Sequence, residues 1–145
     1  MKKRIITAIA VLLVVGFGFL WYTSKVAAHR ERALGAAMTS AAEGEMTLNE
    51  VVPFAWDAVY TFAPYTSKEQ IEAEIGFRSN RIRETVSEGM TQLVFVKGKR
   101  VAMMVCGYPD RLGYDVDFDG KITYEENAVF TVTKDGEVTC FTKKV

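Results

Sequence analysis

Hydrophobic and polar positions follow three different rhythms along the chain. Residues 5–22, IITAIAVLLVVGFGFLWY, carry no charge and only Thr7 as a clearly polar member. Eighteen helical residues at about 1.5 Å each span roughly 27 Å, close to the hydrocarbon thickness of a bilayer. The run predicts a transmembrane helix preceded by a short tail, residues 1–4. Trp21 and Tyr22 close it, where amphipathic rings would sit at the far headgroup level. A cleaved signal peptide is the rival reading. Val26-Ala27-Ala28 offers a small-residue cut site, but the apolar core is longer than the roughly 7–15 residues usual for such a segment.

Residues 23–46 follow no buried-face rhythm. The stretch ALGAAMTSAAEGEM is small and weakly polar, and Gly35 and Gly44 predict a flexible spacer, with at most a turn or two of extra helix. The folded unit is then expected over 47–145, large enough to fold alone around a modest core.

Within it, Thr47 and Glu50 have capping-box spacing for a short helix that Pro53 stops. WDAVYTFAP is rich in strand formers and ends at Pro64. TSKEQIEAEIG predicts a helix with Thr66 or Ser67 as N-cap, Ile71 and Ile75 on one face and Gly76 at its end. Residues 77–90 fit a loop or a helical turn, their Arg78, Arg81 and Arg83 reading as a solvated face. From Thr91 the period becomes two. QLVFV–KGKR–VAMMVCGY reads as a hairpin near Gly98, and AVFTVT–KDGE–VTCFT as a second with Asp135-Gly136 in its loop. That loop would set Phe130 opposite Phe141 and align both with Val132, facing the Ile71/Ile75 helix. The expected fold class is α+β: an N-terminal transmembrane helix, then an antiparallel sheet of about five strands packed on one main helix.

Charge refines the placement. The whole chain is formally neutral, but residues 1–32 hold six basic residues against the single acid Glu31, leaving 33–145 with 12 basic and 17 acidic residues. A body of that sign is a poor nucleic-acid binder, because phosphate neutralisation supplies most of such affinity. The Lys2-Lys3-Arg4 cluster favours a cytoplasmic N-terminus and an extracytoplasmic domain. With no cysteine near residues 15–25, a lipid-modified cysteine is excluded.

One segment carries a chemical pattern. In DVDFDGKITYEE, oxygen donors fall where a twelve-residue calcium loop needs them: Asp115, Asp117, Asp119, the Lys121 carbonyl, Thr123 and Glu126, with Gly120 at position six. The flanks do not predict the helices of an EF-hand. The same residues also alternate as a strand, with Tyr114, Val116 and Phe118 inward and the three aspartates outward, turning at Asp119-Gly120. Calcium is therefore a possible structural ligand, alongside an acidic strand edge. Cys106 and Cys140 form a possible disulfide if the domain lies outside the membrane, or else two small buried hydrophobes.

WDAVYTFAPYTSKEQIEAEIG, QLVFVKGKRV and ENAVFTVTKDG together resemble small extracytoplasmic domains of Gram-positive bacteria that follow an N-terminal anchor or lipoprotein signal. The resemblance implies a location and an architecture. It carries no motif of known chemistry. The single histidine, His29, is juxtamembrane, so Ser-His and Cys-His nucleophile pairs are unavailable. The function expected is a single-pass, membrane-tethered binding module without catalysis, its partner an envelope protein of unknown identity. The alternatives are a calcium-stabilised form of it, or an enzyme using Asp110 with Asp115 or Glu125 with Glu126.

Overall fold

A computed structural model describes residues 2–144; the side chains of the Lys2-Lys3-Arg4 cluster lie outside the described residues. The chain runs α1 (Lys2–Thr39), β1 (Gly44–Thr47), α2 (Leu48–Val51), β2 (Ala58–Tyr60), α3 (Lys68–Ile75), β3 (Thr91–Lys97) and β4 (Arg100–Gly107). It continues through α4 (Pro109–Leu112), β5 (Tyr114–Asp117), β6 (Lys121–Thr123), β7 (Val129–Asp135) and β8 (Val138–Lys143). The class is α+β, but the strands make two four-stranded sheets, ordered β1-β7-β8-β5 and β4-β3-β2-β6, where one sheet of about five was expected.

Two sheets arise because the strands differ in how many faces they bury. In β7, Phe130 and Val132 are buried while Val129, Thr131 and Thr133 are exposed, so one face of that sheet meets the core and the other meets water. In β3 and β4 the apolar run is nearly unbroken. Leu93, Phe95 and Val105 point into the space between the sheets, with Phe130, Val132 and Phe141 from the other side. Val94, Val96 and Met104 point the opposite way, onto Ile71 and Ile75 of α3. The expected contact between the Phe130 face and α3 is therefore corrected: the β4-β3-β2-β6 sheet lies between them.

Caps follow the expected chemistry. Ser67 Oγ accepts from Gln70 N at 3.3 Å, Gln70 Oε1 accepts from Ser67 N at 3.0 Å, and Gly76 closes α3. At α2 the Glu50 carboxylate accepts from Thr47 N at 2.7 Å, which holds it below the usual glutamate range. The β7–β8 loop lies one residue further along than expected, which moves the strand register by two. Asp135 pairs with Val138, so Gly136 (φ 59°) and Glu137 form the loop, and Phe141 lies opposite Val132 rather than Phe130. Glycine at the first loop position suits a positive φ there, and side-chain alternation still keeps all three residues on the inner face.

The largest departure is the presumed spacer. α1 does not stop at the end of the apolar run but continues to Thr39. Leu34 and Met38 are completely buried between the sheets. Alanine-rich sequence is the best helix former available, and Arg30, Leu34 and Met38 recur every four residues along one stripe. Burying the two apolar side chains contributes roughly 1.5–3 kcal/mol each, which holds the helix to the domain.

Candidate functional site

Contacts at Arg30 and at Thr39 fix how α1 lies on the domain. A bulge leaves Ala102 without a partner, since Phe95 pairs with Met103 and Val96 with Val101. The bulge faces α1: Arg30 Nη1 donates to Ala102 O at 3.2 Å, and the Arg30 guanidinium lies 5.9 Å from the centre of the Phe54 ring. At the far end of the helix, Lys134 Nζ (2.8 Å) and Thr139 Oγ1 (3.2 Å) both donate to Thr39 O. Thr39 also abuts Gly113, which follows the Leu112 side chain that packs over Gly107. Arg30 thus meets β4 near its start, and Thr39 lies against Gly113, next to the Leu112 that covers Gly107 at the strand's end, so α1 and β4 run in broadly the same sense. Burial beside Glu31 of the same helix pushes the Tyr114 hydroxyl up to about 12.

The N-terminal part of α1 stands clear of the domain. It includes an eighteen-residue window of mean hydropathy 1.8, none of it buried, long and apolar enough to cross a bilayer. Trp21 and Tyr22 are exposed on it, and Lys25 Nζ lies 5.3 Å from the centre of the Trp21 ring. Bilayer association through this helix therefore puts the β3–β4 hairpin at the membrane side of the domain and the opposite ends of those strands away from it.

The acidic segment lies at that opposite end. Tyr114, Val116 and Phe118 are buried in alternation, Gly120 makes the turn, and the chain passes from β5 in one sheet to β6 in the other. This is the strand-edge conformation. Asp115 Oδ1 accepts from Thr91 Oγ1 at 2.5 Å and from Val116 N at 2.9 Å. Asp117, Asp119 and Lys121 are exposed, and Thr123 Oγ1 accepts from Glu126 N at 3.2 Å. Glu126 is drawn to the other sheet: its carboxylate pairs with Lys143 Nζ at 3.1 Å, and that bond holds it below the usual glutamate range. The calcium-loop residues are thus neighbours in sequence without converging. Among the described residues no group of three or more His, Cys, Asp or Glu is placed to hold a metal ion.

Beside this crossing is an open cleft of about 460 Å³, bounded by Thr61–Pro64, Gly89–Gln92 and Asp115–Gly120. Asp115, Asp117 and Asp119 give it an acidic lining, with Phe62 and Met90 as apolar contacts. Gln92 lines it as well; Nε2 donates to Arg83 O at 3.1 Å, and Oε1 has no partner although the residue is 3% exposed. Periodicity could not have found this cleft, because it is assembled from three segments remote in sequence.

The cysteines are free and half-buried. Cys106 packs on the outer face of the β4-β3-β2-β6 sheet, against the α3 layer. Cys140 alternates with the inward Phe141 and so points from the outer face of the other sheet. Both sheets stand between them, which rules out the disulfide at any reach of about 7 Å between Cα atoms. Burial, reinforced by Asp115 and Asp135, pushes the Cys140 thiol up, away from reactive thiolate. Thiol titration of denatured, unreduced protein is expected to give two free thiols per chain, and reductant should leave the melting midpoint unchanged.

No family model matches the chain, and no curated protein and no solved structure matches it.

Proposed function

We propose that the chain is a membrane-tethered, extracytoplasmic binding module without a catalytic step, which presents its cleft to an envelope partner away from the bilayer. The observation that carries this reading is the joint between α1 and the domain. A helix long enough to span the membrane continues without a break into the core, ending on Leu34 and Met38. Such a joint sets the cleft at a fixed height and orientation, which serves recognition at a surface better than free diffusion on a flexible tether.

Three carboxylates are set up as anions rather than as proton donors. The carboxylates with a resolved shift (Glu50, Asp57 and Glu126) all lie below their ordinary range, each held ionised by hydrogen bonds. A general acid at neutral pH needs the opposite shift. A cut after Ala28 would leave Leu34 and Met38 with the domain, so processing and tethering are told apart by mass. The test is intact mass together with protease accessibility in sealed cells. Uncleaved chain digested only from outside supports the reading; a trimmed soluble product, or digestion only after lysis, overturns it.

Calcium enters as a measurable alternative. Because Glu126 is committed to Lys143 and Asp115 to Thr91, the melting midpoint of the full chain in detergent is expected to be the same in EDTA and in millimolar calcium. A specific site filled to a hundred times its dissociation constant would add about 2.7 kcal/mol and raise the midpoint visibly.

Acid should weaken the domain. A carboxylate with a lowered folded pKa contributes stability that is complete above its unfolded value, about 4, and is lost as pH falls through the lower folded value. That window opens at about pH 3.8 for Asp57 and about 4.5 for Glu126 and runs downward from there. Stability against urea is expected to fall there, and to fall less in Asp57→Asn, whose baseline is already lower.

A further inference from the structure

The tip of the β3–β4 hairpin, Lys97-Gly98-Lys99-Arg100, has no role in the joint or the cleft. Its placement gives it one. Arg30 marks the level of Ala102 on α1 and lies eight residues beyond Tyr22, about 12 Å along a helix. Lys99 lies three residues from Ala102 toward the tip, about 10 Å along a strand. Because α1 and β4 run in the same sense, those two distances point the same way. With the two axes taken as parallel, the tip comes down to about the level at which α1 leaves the apolar core.

The tip is also built to hold its shape. Asp57 Oδ2 accepts from Gly98 N at 2.7 Å, and its other oxygen pairs with Lys97 Nζ. Lys97 is thereby neutralised. Lys99 and Arg100 are exposed, and neither forms an ion pair among the described residues. Residues 33–145 carry five more acids than bases in total, so net charge alone does not draw the body to an anionic surface. Two unpaired cations on a pinned turn, at headgroup height, on an otherwise acidic body fit one surface.

We propose that Lys99 and Arg100 dock the hairpin tip on anionic phospholipid headgroups of the same bilayer that α1 crosses. This rests on the membrane-tethered reading and adds a second contact to it. The joint fixes the domain relative to α1, and the basic tip adds a second point that limits the tilt of helix and domain together in the bilayer.

The test is hydrogen exchange by mass spectrometry on the full chain reconstituted in vesicles, either wholly zwitterionic or with a third of the lipid anionic. A Lys or Arg near an anionic surface shifts such an equilibrium about fivefold, so the pair is worth roughly twenty- to thirtyfold. Tip peptides spanning 97–101 are expected to exchange more slowly in anionic vesicles, the difference disappearing in high salt and in the Lys99→Glu/Arg100→Glu double variant. Lys144→Glu, at the other end of the chain, is expected to keep it. Equal exchange in both vesicles overturns the proposal, as does slowing that survives the double variant. Slowing produced by inorganic phosphate over zwitterionic vesicles overturns it in favour of a free-phosphate site. Failure of the chain to float with either vesicle overturns the tethered reading itself, an outcome distinct from a floating chain with an unprotected tip.

Discussion

Leu34→Ala is expected to destabilise the domain by about 3–4 kcal/mol, although the residue belongs to the anchor helix. Its side chain is completely buried among Met38, Val116, Phe130 and other residues of both sheets. Removing such a leucine forfeits its transfer free energy and leaves a cavity that packed neighbours fill only in part. Leu34→Ala with Met38→Ala should remove more than about 5 kcal/mol, at the lower limit of total stability for many domains. Urea titration in detergent micelles, followed by circular dichroism of the sheets, measures it. Leu20→Ala provides the contrast, because Leu20 is 67% exposed on the membrane part of the same helix. It should leave the midpoint within about 0.5 kcal/mol of wild type. A loss below about 1 kcal/mol at Leu34 would mean that the helix merely rests on the domain.

Gly113→Ala is the second large effect, and it reports on the same joint from the other side. Gly113 has φ 78°, where a side chain costs about 1–2 kcal/mol by its backbone conformation alone. A Cβ there would also lie 2.8 Å from Thr39 Cγ2. Thr39 cannot swing away freely, since it is β-branched and its Oγ1 donates to Gly35 O at 2.8 Å. The two penalties together should reach about 2–4 kcal/mol. Thr39→Ser removes the methyl and keeps the hydroxyl, so the double variant should recover the steric part and retain only the backbone part. Thermal melts of the four proteins form a double-mutant cycle, and a coupling near zero would show that α1 and Gly113 do not meet.

The sequence was most informative where local chemistry decides. The Ser67–Gln70 box, the Gly76 stop and the Gly98 hairpin need only neighbours, and each lies where its residues place it. Sheet number was also written in the chain, in a form that alternation alone does not reveal. Unbroken runs such as LVFV and VAMMV signal strands buried on both faces, whereas the alternating FTVT signals one. By alternation alone both runs pass for ordinary hairpins of a single sheet. The α1 extension is hidden in the sequence because glycine at 35 and 44 favours a break. Gly44 does lie beyond the helix end, while Gly35 is carried inside it by the packing of Leu34 and Met38. The one-residue shift at Gly136 reflects two turn types that accept the same Asp-Gly pair in different places. The acidic segment illustrates the limit of spacing. Every position of a calcium loop is filled, yet Glu126 finds Lys143 of β8, a strand that sequence distance gives no reason to expect beside it.

Hydrogen exchange of residues 32–39 in the full chain, followed across a urea series, probes the joint most directly. Amides in this stretch are expected to open only in the event that releases β7 and β8, with the same free energy and the same urea dependence. Exchange of residues 32–39 through a separate low-energy opening, while the sheets remain protected, would contradict a helix built into the core.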